Sequence, residues 1–274
     1  MGLGILNNLA SIQAQNQLGE TSKSLQSTLY QLSSGQRINS GADDPAGLAI
    51  ANQLQANVSA LSQSVNNANN GIGLAQVEDG GLSQVTNMLD RAVTLATEAS
   101  SGGLSSGQST ALDTEYQSII SEVGQINTNT TFNGMAVFSS TGSFNVMLTD
   151  AVTTGTISVS SVNLSTTSAG INISGTGLAN TTSALAALSS VNSAIQTVSQ
   201  DRGTLGAQIN RLNDAINVMN SQVQNVTSAE NTIMAANIPQ TVANLSKYTI
   251  LNQTGTYALY QADQSTQALL TLLR

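Results

Sequence analysis

The chain has no cysteine, no histidine and no tryptophan in 274 residues. Without cysteine there is neither a disulfide nor a thiolate nucleophile. Without histidine the commonest general base and the commonest metal ligand are both missing. A Ser-His-Asp triad, a Cys-His pair and a histidine zinc cluster are therefore excluded. Aromatic residues make up 3% and charged residues 8%. So few aromatics remove the large anchors of an ordinary compact core. There are two prolines, and the longest uninterrupted apolar run is Ala184–Leu188, too short to span a bilayer. No Lys or Arg precedes Lys23, so the start lacks the basic opening of a cleavable secretory signal.

The formal net charge is −8, and the seven bases (Lys23, Arg37, Arg91, Arg202, Arg211, Lys247, Arg274) are scattered. That pattern leaves no footprint for nucleic acid, which needs clustered cations. Acids are spread too thinly for a calcium or magnesium site, and Gly-rich "GGLSSG" is followed by no Lys-Ser or Lys-Thr, against a phosphate loop. No catalytic, cofactor-binding or metal residue is nominated.

What the sequence does have is apolar rhythm. Positions 188, 191, 195, 198, 202, 205, 209, 212, 216, 219, 223, 226, 230 and 233 alternate steps of three and four. Twelve of these fourteen are apolar, which predicts one long helix with a coiled-coil seam. A straight helix over that stretch is roughly 70 Å long, so an elongated molecule is expected. Arg202 and Glu230 interrupt the seam; their heads are expected to reach water near the ends of the packed region. Ala51, Leu54, Val58, Leu61, Val65, Ala68, Ile72 and Ala75 make a second seam. Its phase slips at "EDGG" (78–81) and resumes from Leu82, which is read as a stutter within one helix. Leu112, Tyr116, Ile119, Val123 and Ile126 mark another amphipathic helix. Such faces must bury one another. The expected fold is mainly α: an elongated antiparallel helical bundle, with Leu54, Val58, Leu61 and Val65 packed on Leu205, Ile209, Leu212 and Ile216.

The middle differs. "TTFNGMAVF" places Asn133-Gly134 between short apolar stretches, a hairpin turn. Phe144, Val146 and Leu148 alternate, as do Ile157 and Val159. Residues 139–183 are nearly half Ser and Thr, and with that alternation a small β-hairpin and strand cap at one end of the rod is expected rather than a flexible linker.

"SGADDP" reads as a helix start, with Asp44 as N-cap and Pro45 at the first helical position. Upstream, Leu18, Leu25, Leu29 and Leu32 mark a separate helix. Both ends of the chain are poor in charge and rich in apolar residues: Ile5, Leu6, Leu9 and Ile12 at one, Leu259, Leu269, Leu270, Leu272 and Leu273 at the other. The two ends cover each other only partly within one chain, so they are expected to self-associate between subunits. A non-closing contact of that kind builds an open helical filament. The expected organisation is a terminal-helix pair (1–44 and 235–274), a bundle (45–138 and 184–234) and the cap (139–183).

Several of these stretches, in this order, resemble bacterial flagellin. "LSSGQRINSGADDPAGLAIA", "NANNGIGLAQ", "TTFNG", "LGAQINRL" and the closing "LLTLLR" are similar to family motifs, over roughly 1–138 and 184–274. Pro45 stands where the family often has Ala. The resemblance implies a filament subunit whose terminal helices form an inner tube and order on assembly. It implies an extracellular protein, exported without a cleaved signal peptide, that meets an export chaperone, cap and junction proteins, and no membrane. It suggests O-linked glycans on the central Ser/Thr region. It also points to a Toll-like receptor surface at Arg91, Leu95 and Glu115, although Val93 and Thr94 depart from that pattern. The plainer reading, two solvated helix-face charges, is preferred for Arg91 and Glu115. A hook–filament junction protein and a secreted coiled-coil adhesin are the alternatives to a filament subunit.

Overall fold

The computed structural model describes residues 8–138, 143–150, 154–167 and 170–272, with side chains for all of these except residues 154 and 266–272. Five helices account for most of the chain: α1 (Leu9–Ser34), α2 (Pro45–Ala99), α3 (Ser106–Asn129), α4 (Thr181–Met234) and α5 (Ile238–Leu272). Two small hairpins, β1–β2 (Thr131–Phe132, Met135–Ala136) and β3–β4 (Ser143–Thr149, Thr154–Ser160), lie between α3 and α4. The chain forms two compact units, residues 1–56 with 225–274, and residues 57–224. The division falls within α2 and α4 rather than at their ends, and the described part of the 139–183 segment belongs to the second unit.

The local signals act where the sequence places them. Gly47 N–H donates to the Asp44 carboxylate at 2.9 Å, so Asp44 caps α2 and Pro45 occupies a site where no amide is needed. Ser105 and Gln108 form a reciprocal capping box at the start of α3. Gly35 ends α1 in the left-handed region at φ 69°. Asn133 and Gly134 both have positive φ, as a tight two-residue hairpin requires.

In the second unit α2 and α4 run antiparallel. Leu212 lies against Gly71, whereas Arg202 meets Asp79, so advancing along α2 means retreating along α4. The seam at 78–81 does not break α2. Gly81 is where it is because the Phe138 ring takes the space of a side chain: a Cβ there would lie 2.7 Å from the ring. Arg202 is not near an end of the packed region. It sits mid-helix and grips Asp79 with two hydrogen bonds, at 2.8 and 3.3 Å. Its head reaches half-exposed space beside the stutter rather than a helix terminus.

α3 also runs antiparallel to α2, with Arg91 opposite Glu115. Continuing from that pair at 1.5 Å per residue, α3 ends roughly level with residue 77 of α2. Below that level the β3–β4 hairpin takes its place. Val146 packs at Gly71, and Ser64 bonds the backbone of Thr149. The Ser/Thr-rich segment is thus not a cap at one end. It lies along the flank of the helices and replaces the third helix where α3 stops, because the apolar stripes of α2 and α4 continue past that point. The pairing of β3 with β4 sets Phe144 opposite Val159 and Val146 opposite Ile157, the alternation seen in the sequence. Leu61, Leu82, Leu89, Leu95, Val123, Val146, Leu164, Leu178, Val191 and Leu205 share one buried cluster with the helices and the hairpin. Each such side chain contributes about 1.5–3 kcal/mol by leaving water.

Candidate self-association surface

The first unit is built on α1 and α5. They run antiparallel, since Asn8 Nδ2 donates to Ala262 O at 2.9 Å while Leu18 touches Gly255. The Gly255 position has no side chain to push Leu18 away; a Cβ there would lie 3.2 Å from it. The α1 seam is Ser11, Ala14, Leu18, Thr21, Leu25, Thr28 and Leu32, a heptad stripe in which every residue is buried or half-buried. Its fully buried members are polar, Ser11, Thr21 and Thr28, and on α5 the buried polar residue is Thr241. Ser11 Oγ donates to Asp263 at 2.9 Å, and the Thr21 and Thr28 hydroxyls donate to the carbonyls of Gln17 and Ser24. These hydrogen bonds satisfy the buried groups, but small polar side chains bring little hydrophobic free energy.

The large apolar residues of the unit face outward instead. Leu9 is 66% exposed, Ile250 62% and Tyr257 75%. Ile12, Leu29, Tyr30, Ile238, Val242, Leu251 and Tyr260 are exposed as well. Of the predicted terminal-helix residues, Leu9 and Ile12 are therefore on the surface. Leu259 is half-buried in the seam side of α5 and not on the outer face, a correction to its placement. Leu269, Leu270 and Leu272 belong to the α5 backbone, while Ile5, Leu6 and Leu273 lie outside the described residues. Sequence reading missed Ile250, Leu251, Tyr257 and Tyr260, which are four of the six large apolar residues exposed on α5 among the described residues. Their spacing was the available signal: Val242, Ile250, Tyr257 and Tyr260 fall on one stripe opposite Thr241, Tyr248 and Gly255, and Leu251 lies outside that stripe.

The connections flanking this pair are fixed to each other. Gln36 and Ala235 form an isolated antiparallel bridge, Arg37 N–H donates to Met234 O at 2.6 Å, and Ala236 N–H donates to Gly35 O at 2.9 Å. The Arg37 guanidinium adds hydrogen bonds to Ile233 O and lies 3.9 Å from Asp44. Asp43 gathers the Asn39 and Ser40 amides and the Ser40 hydroxyl, which hold its carboxyl below the ordinary aspartate range. Ile38 is buried at the centre of this connection. The three charges of the 37–44 stretch thus serve the join between α1, α2 and the end of α4.

The other predicted sites divide. Leu61, Leu205 and Leu212 are fully buried in the second unit's cluster, with Val65, Ile209 and Ile216 half-buried against it. Leu54 and Val58 are half-buried and are not members of that cluster, which corrects their place in the seam; Leu54 falls in the first unit. Arg91 and Glu115 pair with each other at 2.7 Å across α2 and α3. Leu95 has no exposed surface, so it forms no recognition face with them. Among the described residues, no helix is long and apolar enough to cross a membrane, and no three acidic side chains cluster as metal ligands do.

The architecture defines a class: a helical chain whose two ends pair with each other while an interrupted antiparallel bundle lies between them in sequence. Residues 5–143 match the bacterial flagellin N-terminal helical region, and residues 188–273 match the bacterial flagellin C-terminal helical region. The chain belongs to the bacterial flagellin family. It is 40% identical over 135 residues to Flagellin 1 of Proteus mirabilis, a match covering 49% of this chain and 37% of that protein. It is 37% identical over 144 residues to flagellin of Escherichia coli K12, covering 53% of this chain and 29% of that one. These matches span about a third of the relatives' length. The crystal structure of Bacillus cereus flagellin superposes with a TM-score of 0.50 at 28% identity, covering 60% of this chain and 94% of that one.

Proposed function

We propose that this protein is a structural subunit that polymerises into a bacterial flagellar filament, with the α1–α5 pair as its main inter-subunit surface. The observation that carries the reading is the inverted pair: polar Ser11, Thr21, Thr28 and Thr241 inside, and Leu9, Ile250, Tyr257 and Tyr260 outside. An apolar face of that extent is stabilised by contact with further copies. Because it runs along a helix pair rather than around a two-fold axis, repeated contact gives an open polymer. The subunit acts outside the cell as part of a swimming filament and catalyses nothing. Export without a cleaved signal, and contacts with an export chaperone, a cap and junction proteins, follow from that role.

The test is negative-stain electron microscopy of seeded monomer, beside a chain lacking residues 240–274 and a full-length Ile250→Glu/Tyr257→Glu variant. Filaments from the intact chain alone are expected. Filaments from the double variant would overturn the assignment of this face. Discrete particles from all three would favour a junction protein or an adhesin.

A further inference from the structure

Among the described residues the second unit buries three polar side chains, Ser64, Glu78 and Gln208, and all three hold backbone of the segment between α3 and α4. Ser64 exchanges two hydrogen bonds with Thr149, at 3.0 and 2.9 Å. The Gln208 carbonyl accepts from Ser160 N–H at 3.2 Å. The Glu78 carboxyl accepts from Val162 N–H at 2.5 Å. A neutral amide and a hydroxyl do this work at two of the points. At the third stands an ionisable group with 1% of its surface exposed.

The surroundings of Glu78 oppose its charge. From α4, Asp201 presents a second carboxylate, and it is the charged group that acts on Glu78. Arg202 is the one cation on that stretch of α4, and its guanidinium is bound to Asp79. From α3 the packed residue at this level is Ile126, and the nearest acid of that helix, Glu122, is exposed. From the segment between α3 and α4, residues 160–164 carry no ionisable group. Asp201 also lines, with Ser160, Ser161, Val162, Asn163, Thr204 and Gln208, a half-open cavity of about 240 Å³ between α4 and that segment. This cavity marks the edge where residues 160–163 meet α4 beside Asp201.

We propose that Glu78 is a protonation-controlled latch: in its neutral form it fastens the β3–β4 hairpin and residues 160–164 to the helices, and in its ionised form, beside Asp201, it loosens them. Burial comes first and the Asp201 charge adds to it, together raising Glu78 to about 7 against the Val162 hydrogen bond, which pulls the other way. The direction follows from linkage. An undocked Glu78 titrates near 4.5, so the docked form binds its proton more tightly. Docking is therefore strongest below about 4.5 and is progressively lost as pH rises to about 7.

Amide hydrogen exchange on the full-length monomer at pH 5 and pH 8, corrected for intrinsic rates, tests the latch. Protection of Val162 and Ser160 relative to Leu89 in α2 is expected to fall at least tenfold between the two, the factor carried by about one pK unit. Glu78→Gln keeps the carbonyl acceptor and removes the titration, and its Val162 protection is expected to be the same at both pH values. Asp201→Asn is expected to move the wild-type transition to lower pH. Unchanged relative protection in the wild type, or a Glu78→Gln chain that still follows pH, would overturn the proposal. Should the Gln variant not fold, carbon-13 titration of the Glu78 carboxyl in the wild type decides: a midpoint at or below 4.5 sinks the latch.

Discussion

The two units bury opposite chemistries with the same helical geometry. In residues 57–224 the buried residues are mostly Leu, Val, Ala and Ile, and the buried polar side chains Ser64, Glu78 and Gln208 hold the backbone of residues 149–162. In the α1–α5 pair the fully buried residues are hydroxyls, leucines such as Leu18, Leu25 and Leu32 are half-buried, and Leu9, Ile250, Leu251, Tyr257 and Tyr260 lie outside. Heptad spacing sets which residues meet; it does not require that the meeting face be the apolar one. A bundle that is complete within one chain keeps its apolar stripe inside. On the proposed reading, a pair completed by other chains leaves much of it outside, and holds itself together with the lesser contribution of satisfied hydroxyls and a few leucines.

That contrast predicts opposite outcomes for one kind of substitution. Leu212→Ala removes a fully buried side chain of the second unit and should destabilise the monomer by about 2–5 kcal/mol, read as a lower midpoint in urea. Ile250→Ala removes a side chain of similar size that is 62% exposed, and should leave that midpoint within about 0.5 kcal/mol. Its effect should appear only in polymerisation, as a higher monomer concentration at which filaments begin to grow. Equal losses of monomer stability would erase the distinction between the units.

Smaller effects should follow from the glycines of the second unit. A Cβ at Gly71 would lie 2.6 Å from Val146, and one at Gly81 2.7 Å from the Phe138 ring. Alanine raises helix propensity at each, by up to about 1 kcal/mol, but overpacks the site at a cost of about 1–3 kcal/mol. Net destabilisation is expected for Gly81→Ala, because an aromatic ring has few ways to retreat. Gly80→Ala faces open space and should be neutral or stabilising. The pair of neighbours, measured by thermal unfolding, separates packing from propensity.

Much of this was legible in residue order. The α2 and α4 periods, the Asp44–Pro45 start, the Asn133–Gly134 turn and the β3–β4 alternation all follow from rules within one element. What was not legible involves two elements at once. Leu95 satisfies a surface motif by spacing and yet is fully buried, in the same apolar cluster as residues of α3 and α4. Leu259 belongs to an apolar terminus but is half-buried, one turn after the Gly255 position that lies against Leu18. The hairpin flanks the helices rather than capping them because α3 is too short to cover both long seams. Glu78 reads as one acid of a polar "EDGG" stretch, and only the Val162 backbone shows why it is inside.

The smallest expected effect concerns Arg202, the residue that breaks the α4 seam. Two accounts of it differ in outcome. If the guanidinium fixes the register of α2 on α4 at the stutter, removing it should weaken cooperativity of the whole unit. If it is an exposed ion pair, its net contribution is small. Side-chain exposures of 36% for Arg202 and 43% for Asp79 favour the second, and pairs that exposed contribute about 0–1 kcal/mol. Arg202→Met keeps the aliphatic stem over the seam and deletes the charge. It should lower the unfolding midpoint by less than about 1 kcal/mol equivalent, leave the urea slope unchanged, and differ from wild type less in high salt than in low. A changed slope would instead show that the stutter depends on this one cation, despite the packing of Phe138 at Gly81 and the Glu78–Val162 hydrogen bond beside it.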